Sequence, residues 1–309
     1  MIKLSIVVPV YNSKAILPLL LEAIDSERKK HEWNLELVLI DDGSKDDSYA
    51  EIKTLANSYN YIRGIKLARN FGHQLAVRTG LNYCNGDLIA IIDDDLQDPP
   101  FLIQHFIEKI NEGYDVVYGV RKKRKEHYIK KLSYHIFYRI LNKLSSIEIP
   151  LDTGDFCVMK KPVVDNILKF EERSVFLRGI RAWVGFKQIG FEYERNSRDI
   201  GESGYSLRKL FRIALDGIFS FSRMPLRLIT FSGFTGLFLA LIYSSRIIYV
   251  YFLDNIPVKG FTTITMLISF FSSLILICLG IIGEYISRIY DEVRKRPHSV
   301  ISEITSYNE

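Results

Sequence analysis

Three consecutive acids, Asp93, Asp94 and Asp95, follow the apolar run at residues 88–92 and precede Leu96-Gln97-Asp98-Pro99-Pro100. In an extended chain alternate side chains share a face, so Asp93 and Asp95 arrive together where a strand ends. Two carboxylates that close repel each other, and a bridging divalent cation relieves the repulsion. Such a cation also neutralises a diphosphate and stabilises it as a leaving group. An acidic turn alone is common on protein surfaces; the buried strand before this one and the Leu-Gln-Asp-Pro-Pro run after it make the signal specific. A second acidic stretch, Asp41-Asp42-Gly43-Ser44, closes another apolar run at 35–40, and Asp155 stands alone in Asp152-Thr-Gly-Asp-Phe156. Arg121, at the end of the apolar run 116–120, and Arg198 are the candidate cations for facing phosphate, with Arg124 close by. The alternative for the basic run 121–125 is a solvated stretch touching anionic lipid, a reading that fits Lys122 and Lys123 best. His73 reads as support for the site rather than as a catalytic group.

The elements that must position these residues alternate regularly. Strands are predicted at 4–10, 35–40, 62–67, 88–92 and 116–118, and helices at 15–30, 47–58, 74–84 and 100–113. Strand–helix alternation at this spacing predicts an α/β domain with a mainly parallel sheet covered on both faces. Ligands of such sheets gather at the carboxyl ends of the strands. Asp41, Asp42, Asp93, Asp94 and Asp95 all fall there. The chain of 309 residues is long enough for one such domain plus attachments.

The second half changes character. Residues 228–253 and 261–286 are two apolar segments, each reaching the roughly 20 residues that cross a bilayer. The connector 254–260 is short and poor in Lys and Arg, while Arg223 and Arg227 precede the pair and Arg288, Arg294, Lys295 and Arg296 follow it. The positive-inside rule then predicts a hairpin with both termini and the α/β domain in the cytoplasm. A buried helix pair in a soluble protein is the alternative. Arg246 is an anomaly inside the first span; it either snorkels or pairs with Glu284, although depth argues against the pairing. Residues 127–147 place Leu132, Ile136, Phe137, Ile140 and Leu144 on one helical face with lysines and arginine elsewhere, a composition that suits both a lipid-surface helix and an ordinary surface helix. Residues 206–226 form a second amphipathic stretch.

Composition excludes several classes. Cys84, Cys157 and Cys278 are far apart, which argues against a disulfide framework or a zinc site. The net charge of +5 is modest and no basic module is present, so nucleic acid is not an expected partner. Residues 1–11 read as a first strand and not as a secretory signal.

Six stretches together resemble a known family: Ser5-Ile-Val-Val-Pro-Val-Tyr-Asn12, Asp41-Asp-Gly-Ser44, Arg69-Asn-Phe-Gly-His-Gln74, Asp93 to Pro100, Asp152-Thr-Gly-Asp-Phe156 and Arg198-Asp-Ile-Gly-Glu-Ser203. In order and spacing they are similar to the family-2 glycosyltransferases of GT-A fold, in the branch of dolichyl-phosphate mannose synthases and bactoprenol glucosyltransferases. The resemblance implies a GT-A domain at 1–205, a juxtamembrane helix at 206–226, a two-span hairpin at 227–287 and a cytoplasmic tail at 288–309, held at the inner membrane of a bacterium. It implies that Pro9, Tyr11, Asp41 and Asp42 line the nucleotide, that Arg69, Asn70 and Gly72 shape the donor pocket with Asp94, and that Asp93 and Asp95, assisted by Gln97, hold Mg²⁺ or Mn²⁺. Asp155 would face the acceptor, and Arg121, Arg124, Arg198 and Ser203 its phosphate. The implied reaction is inverting transfer of a hexose, read as glucose from UDP-glucose, onto undecaprenyl phosphate. GDP-mannose or a UDP-amino-sugar is the alternative donor, and an impaired membrane scaffold that binds nucleotide sugar is the non-enzyme alternative. Pairing of copies through the hairpin stays open. Three positions depart from the family pattern: Gly204 replaces a lysine, Cys157 an arginine and Ser13 a glutamate. A polymer synthase is disfavoured because Arg178-Gly-Ile-Arg-Ala-Trp183 only partly echoes a Gln-x-x-Arg-Trp run.

Overall fold

The computed structural model describes residues 2–122, 153–172, 176–194 and 260–306, with parts of 229–249. The amphipathic stretches 127–147 and 206–226, together with Arg124, Arg198 and Ser203, lie outside the described residues.

Eight strands form one sheet, β1 (Lys3–Val10), β2 (Asn34–Asp41), β3 (Ile62–Leu67), β4 (Leu88–Ile91), β5 (Val116–Lys122), β6 (Thr153–Lys160), β7 (Gln188–Glu194) and β8 (Ile301–Ser306), in the order β7-β5-β6-β4-β1-β2-β3-β8. Helices α1 (Leu17–Lys30), α2 (Ser48–Ser58), α3 (His73–Asn82), α4 (Leu102–Asn111), α5 (Lys161–Leu168) and α6 (Leu177–Trp183) accompany it. The long helix α7 (Phe261–Val293) belongs to a separate compact unit.

The first strands are mostly apolar because both sides are covered. Ile6, Val8, Leu37 and Leu39 turn toward α1, α2 and α4, while Val7, Val38 and Ile40 turn toward α3, α5 and α6. Gly80 lets α3 approach the sheet closely: a Cβ there would lie 2.5 Å from side-chain atoms of both Ile40 and Val7.

The expected parallel sheet holds for β4-β1-β2-β3 and for β5 beside β7. It fails at β6, which runs antiparallel to both β4 and β5, and at β8, antiparallel to β3. The sheet is therefore mixed, a GT-A-like α/β arrangement. Reversing β6 has a direct consequence for the site. Ile91 pairs with Cys157, so Asp93 and Asp155, each two residues further toward the same edge, emerge side by side.

The segment 288–309, expected as a tail, contributes β8 to the sheet edge. Ala68 N–H donates to Val300 O at 2.8 Å, the hydroxyls of Thr79 and Ser299 meet at 2.7 Å, and Lys53 pairs with Glu303 at 2.5 Å.

In the second unit, Phe270–Val293 within α7 is the one helix among the described residues long and apolar enough to cross a membrane. The other expected span, 228–253, falls partly outside the described residues and holds a shorter apolar helix, Phe231–Tyr243. Glu284 pairs with Arg288 one turn further along α7, at 2.9 Å.

Candidate active site

The carboxyl ends of β1, β2 and β4 and the start of β6 converge on one edge of the sheet. Each end supplies polar groups because the apolar run that fills the sheet stops there.

At the end of β2, Asp41 is fully buried. Its Oδ1 accepts the Ser44 N–H at 3.1 Å, and its Oδ2 has no hydrogen-bond partner. Asp42 accepts the Phe71 and Gly72 N–H groups at 2.7 and 2.9 Å, one on each oxygen. Burial pushes the Asp42 carboxyl above its ordinary range, against those two hydrogen bonds. The loop 69–72 is thereby strapped to the end of β2. Arg69 is exposed and lies over the Phe71 ring at 4.3 Å. Asn12, in a left-handed conformation after β1, donates its N–H to Ser44 Oγ at 2.9 Å and accepts from Lys45 N at 2.8 Å. Pro9 is buried in β1, and Tyr11 is 44% exposed beside these loops. Pro9 and Asp41 in β1 and β2, and Tyr11, Asp42, Arg69, Asn70 and Gly72 on the loops that follow β1, β2 and β3, thus share one sheet edge.

At the end of β4, Asp94 accepts the Ser13 hydroxyl at 2.5 Å and the Tyr11 N–H at 3.3 Å, tying this loop to β1. Asp95 accepts the Gln97 N–H at 3.1 Å. Burial raises the Asp93 carboxyl to about 6; nearby His73 works against this, and Asp98, Asp155 and Asp95 add to it. Asp98, which the motif reading did not assign, is fully buried, accepts the Tyr193 hydroxyl and sits 3.7 Å from Arg121. Arg121 lies against Gly154, where a Cβ would stand 2.6 Å from its guanidinium. It therefore reaches the start of β6, with Asp98 as its acidic partner.

Asp155 is held from three sides. His73 Nε2 is 3.0 Å from Oδ2, Gln74 Nε2 donates to Oδ2 at 2.7 Å, and Arg178 Nε donates to Oδ1 at 3.0 Å. Burial opposes its charge, but the Arg178 guanidinium and the bonds from His73 and Gln74 outweigh that, holding it well below the usual carboxylate range. His73 also stands 3.7 Å from Asp93. Burial disfavours its charged form, yet Asp155 and Asp93 push it up to about 9. His73 thus stands between the two acids, 3.0 Å from Asp155 and 3.7 Å from Asp93. Gln74 and Arg178 were not assigned a part in the site; they lie 81 and 23 residues from Asp155 along the chain.

The acidic edge fits a divalent cation of the kind that is shared with a substrate. Asp98, Asp155 and Asp95 add to the rise that burial imposes on Asp93, and a cation held by Asp93 and Asp95 would relieve it. No cluster of three or more His, Cys, Asp or Glu able to hold a metal is found among the described residues. A protein-only cage is absent there, whereas Mg²⁺ commonly takes one or two carboxylates plus phosphate oxygens and water.

Residues 5–168 match the family model for Glycosyl transferase family 2. The uncharacterized glycosyltransferase YkcC of Bacillus subtilis is 40% identical over 301 residues, 97% of this chain and 93% of that protein. The prophage bactoprenol glucosyl transferase homolog of Escherichia coli is 37% identical, covering 98% of this chain and 99% of that one. The bactoprenol glucosyl transferase of Shigella phage SfII is also 37% identical, covering 97% of each. Among solved structures, the mannosyltransferase PcManGT of Pyrobaculum calidifontis in complex with GDP-Man and Mn²⁺ aligns with a TM-score of 0.49 at 14% identity, over 90% of this chain and 87% of that one; a likeness that distant supports no argument about substrate. Acids at the ends of β2 and β4, a carboxylate brought opposite them by a reversed strand, and a family match over more than half the chain lead to one conclusion: this chain belongs to glycosyl transferase family 2 and is a glycosyltransferase.

Proposed function

We propose that the protein transfers a hexose, glucose from UDP-glucose, to undecaprenyl phosphate at the cytoplasmic face of a bacterial inner membrane, with inversion at the sugar carbon. The observation that carries this reading is the emergence of Asp93 and Asp155 at the same edge from β4 and β6, with His73 between them, in a chain that also contains the apolar helix α7. The acceptor class is supported by relatives of nearly equal length that are named for bactoprenol.

In this reading Asp41, with its unpartnered buried Oδ2, accepts an N–H from the nucleotide base. Tyr11 and the strapped loop 69–72 enclose the nucleotide. Asp93 and Asp95, with Gln97 beside them, hold Mg²⁺ or Mn²⁺, which when bound neutralises the diphosphate as it leaves. Arg121, and Arg124, Arg198 and Ser203 outside the described residues, meet the acceptor phosphate. A phosphate monoester has a second pKa of about 6, so the acceptor is already largely ionised at neutral pH and attacks without prior deprotonation. One in-line displacement then inverts the anomeric centre.

Purified full-length protein would be given undecaprenyl phosphate, Mg²⁺ or Mn²⁺, and radiolabelled UDP-glucose, GDP-mannose or a UDP-amino-sugar in turn. Labelled lipid from UDP-glucose is expected. Label from another donor alone would move the donor assignment, and no labelled lipid from any donor would sink the reading.

A further inference from the structure

Asp155 sits where a base would stand, yet little of it is left to accept a proton. A carboxylate offers about four lone-pair sites, and three neighbours already occupy this one. The Gln74 amide cannot turn its oxygen toward Asp155, because that oxygen accepts the Leu177 N–H at 3.1 Å. The same bond fastens the first turn of α6 to the first turn of α3, with Asp155 between them. Arg178, the next residue, completes the clamp.

A second observation points the same way. Arg181, one turn beyond Arg178, is 3% exposed and lies 4.6 Å over the Tyr118 ring, and its Nε and Nη2 have no hydrogen-bond partner. A buried guanidinium is costly unless a negative charge is near. Arg181 lines a small cavity with Arg178, Cys157 and Asp155, and Asp155 is the one carboxylate among the lining residues. The groups that face Asp155 are His73 and Gln74 from α3, Arg178 and Arg181 from α6 and Cys157 from β6, with Asp93 behind His73. The surroundings are cationic on balance.

We propose that Arg178, backed by Arg181, is a positioning residue that locks Asp155 as an immobile anion, so that Asp155 acts by charge and placement and takes no proton during transfer. This rests on the transfer reading above. The His73 ring is thereby held between Asp155 and Asp93, and α6 is pinned to α3.

The test compares full-length wild type, Arg178→Gln, Arg178→Lys, Asp155→Asn and the Arg178→Gln/Asp155→Asn double variant, in transfer to undecaprenyl phosphate and in thermal melting. Arg178→Gln is expected to lower kcat about 10–100-fold with the nucleotide-sugar KM changed less than about threefold. Arg178→Lys, which restores a charged donor, is expected to recover most of that loss. The double variant should be no slower and no less heat-stable than the worse single, because the two residues act as one unit. Wild-type kcat in Arg178→Gln, or a KM effect in place of a kcat effect, would overturn the positioning role. Additive melting losses would overturn the unit itself, and that measurement holds whatever the turnover. A wild type without transfer would count against the function and leave the melting cycle to decide the Asp155–Arg178 unit.

Discussion

Gly43 is the residue on which the donor side of the site is most sharply testable. It follows the two acids of Asp41-Asp42-Gly43-Ser44 and adopts φ +67. A Cβ placed there would stand 2.4 Å from the backbone carbon of Arg69, 2.5 Å from the Asn70 nitrogen and 2.9 Å from the Arg69 Cα. Gly43→Ala therefore carries two costs. The left-handed conformation costs an L-residue about 1–2 kcal/mol. The second cost is the larger. To reach an ordinary contact the 69–70 backbone must retreat by roughly 1 Å, and it cannot do so without stretching the Phe71 and Gly72 hydrogen bonds to Asp42, now 2.7 and 2.9 Å. A hydrogen bond to a charged group contributes about 1.5–3 kcal/mol, so losing one of the two brings the total to roughly 3–5 kcal/mol.

That cost is local. The loop can open while the sheet stays folded, so it should appear mainly in donor affinity, as a weakening of about 10²–10⁴-fold. Gly72→Ala is the matched control. Gly72 also has a positive φ, +101, but nothing lies within 4 Å of its added Cβ. Only backbone strain of about 1–3 kcal/mol applies there. Titration calorimetry with UDP and UDP-glucose, alongside melting curves, reads both variants. Gly43→Ala binding within threefold of wild type, or Gly72→Ala being the worse of the two, would refute the account of the strapped loop.

Three further outcomes are expected. Tyr193→Phe removes the hydroxyl donor to fully buried Asp98 and should cost about 1.5–3 kcal/mol in denaturant unfolding; unchanged stability would mean that Asp98 does not depend on that bond. Burial alone would raise Asp25, but bonds from Lys29, Arg28 and Tyr61 bring it down to about 2. Its pairing stabilises fully above the ordinary carboxylate range and is lost as pH falls through about 2, so Asp25→Asn should cost roughly 2 kcal/mol at neutral pH and lose less stability than wild type between pH 4 and 2; equal acid sensitivity would contradict this. Chelation should stop transfer until Mg²⁺ or Mn²⁺ is returned, and Asp95→Ala should weaken Mn²⁺ binding by spin resonance at least about tenfold; labelling that survives the substitution would remove Asp95 from the metal.

What the sequence made legible follows from how strongly each residue's neighbours constrain it. The runs that became β1, β2 and β4 are mostly apolar because they are buried on both faces, and the polar pair inside them, Ser5 and Glu36, is joined by its own hydrogen bond. The acids that end them had to lie at one edge. β6 was read only as a motif: it opens on Thr153-Gly154-Asp155, and nothing in its composition tells an antiparallel strand from a turn. β8 was hidden more deeply. It lies at the sheet edge, with Ser302, Glu303 and Ile304 exposed, and follows the basic cluster Arg294-Lys295-Arg296. Arg178 and Gln74 were missed as partners of Asp155 because such contacts follow from topology and not from spacing. The three-residue step from Arg178 to Arg181 on a short apolar helix was the available signal, since both then share one face.

The strand β8 also bears on the membrane topology. It pairs with β3 from Arg63 opposite Ser306 to Leu67 opposite Ile301, so residues 62–67 and 301–306 belong to one sheet and lie on one side of any bilayer. The chain between them must then cross an even number of times. If α7 spans once, a second crossing is required between β7 and Phe261, which is where the apolar segment 228–253 falls. An even count agrees with the two-span hairpin expected from the sequence, whose basic flanks predict cytoplasmic ends. Single cysteines at Asn255 and Ser306, in a chain whose Cys84, Cys157 and Cys278 are replaced by serine, should divide cleanly in intact cells. A membrane-impermeant maleimide is expected to label position 255 from outside and to reach position 306 only after lysis. Labelling of both from outside, or of neither, would break the parity argument.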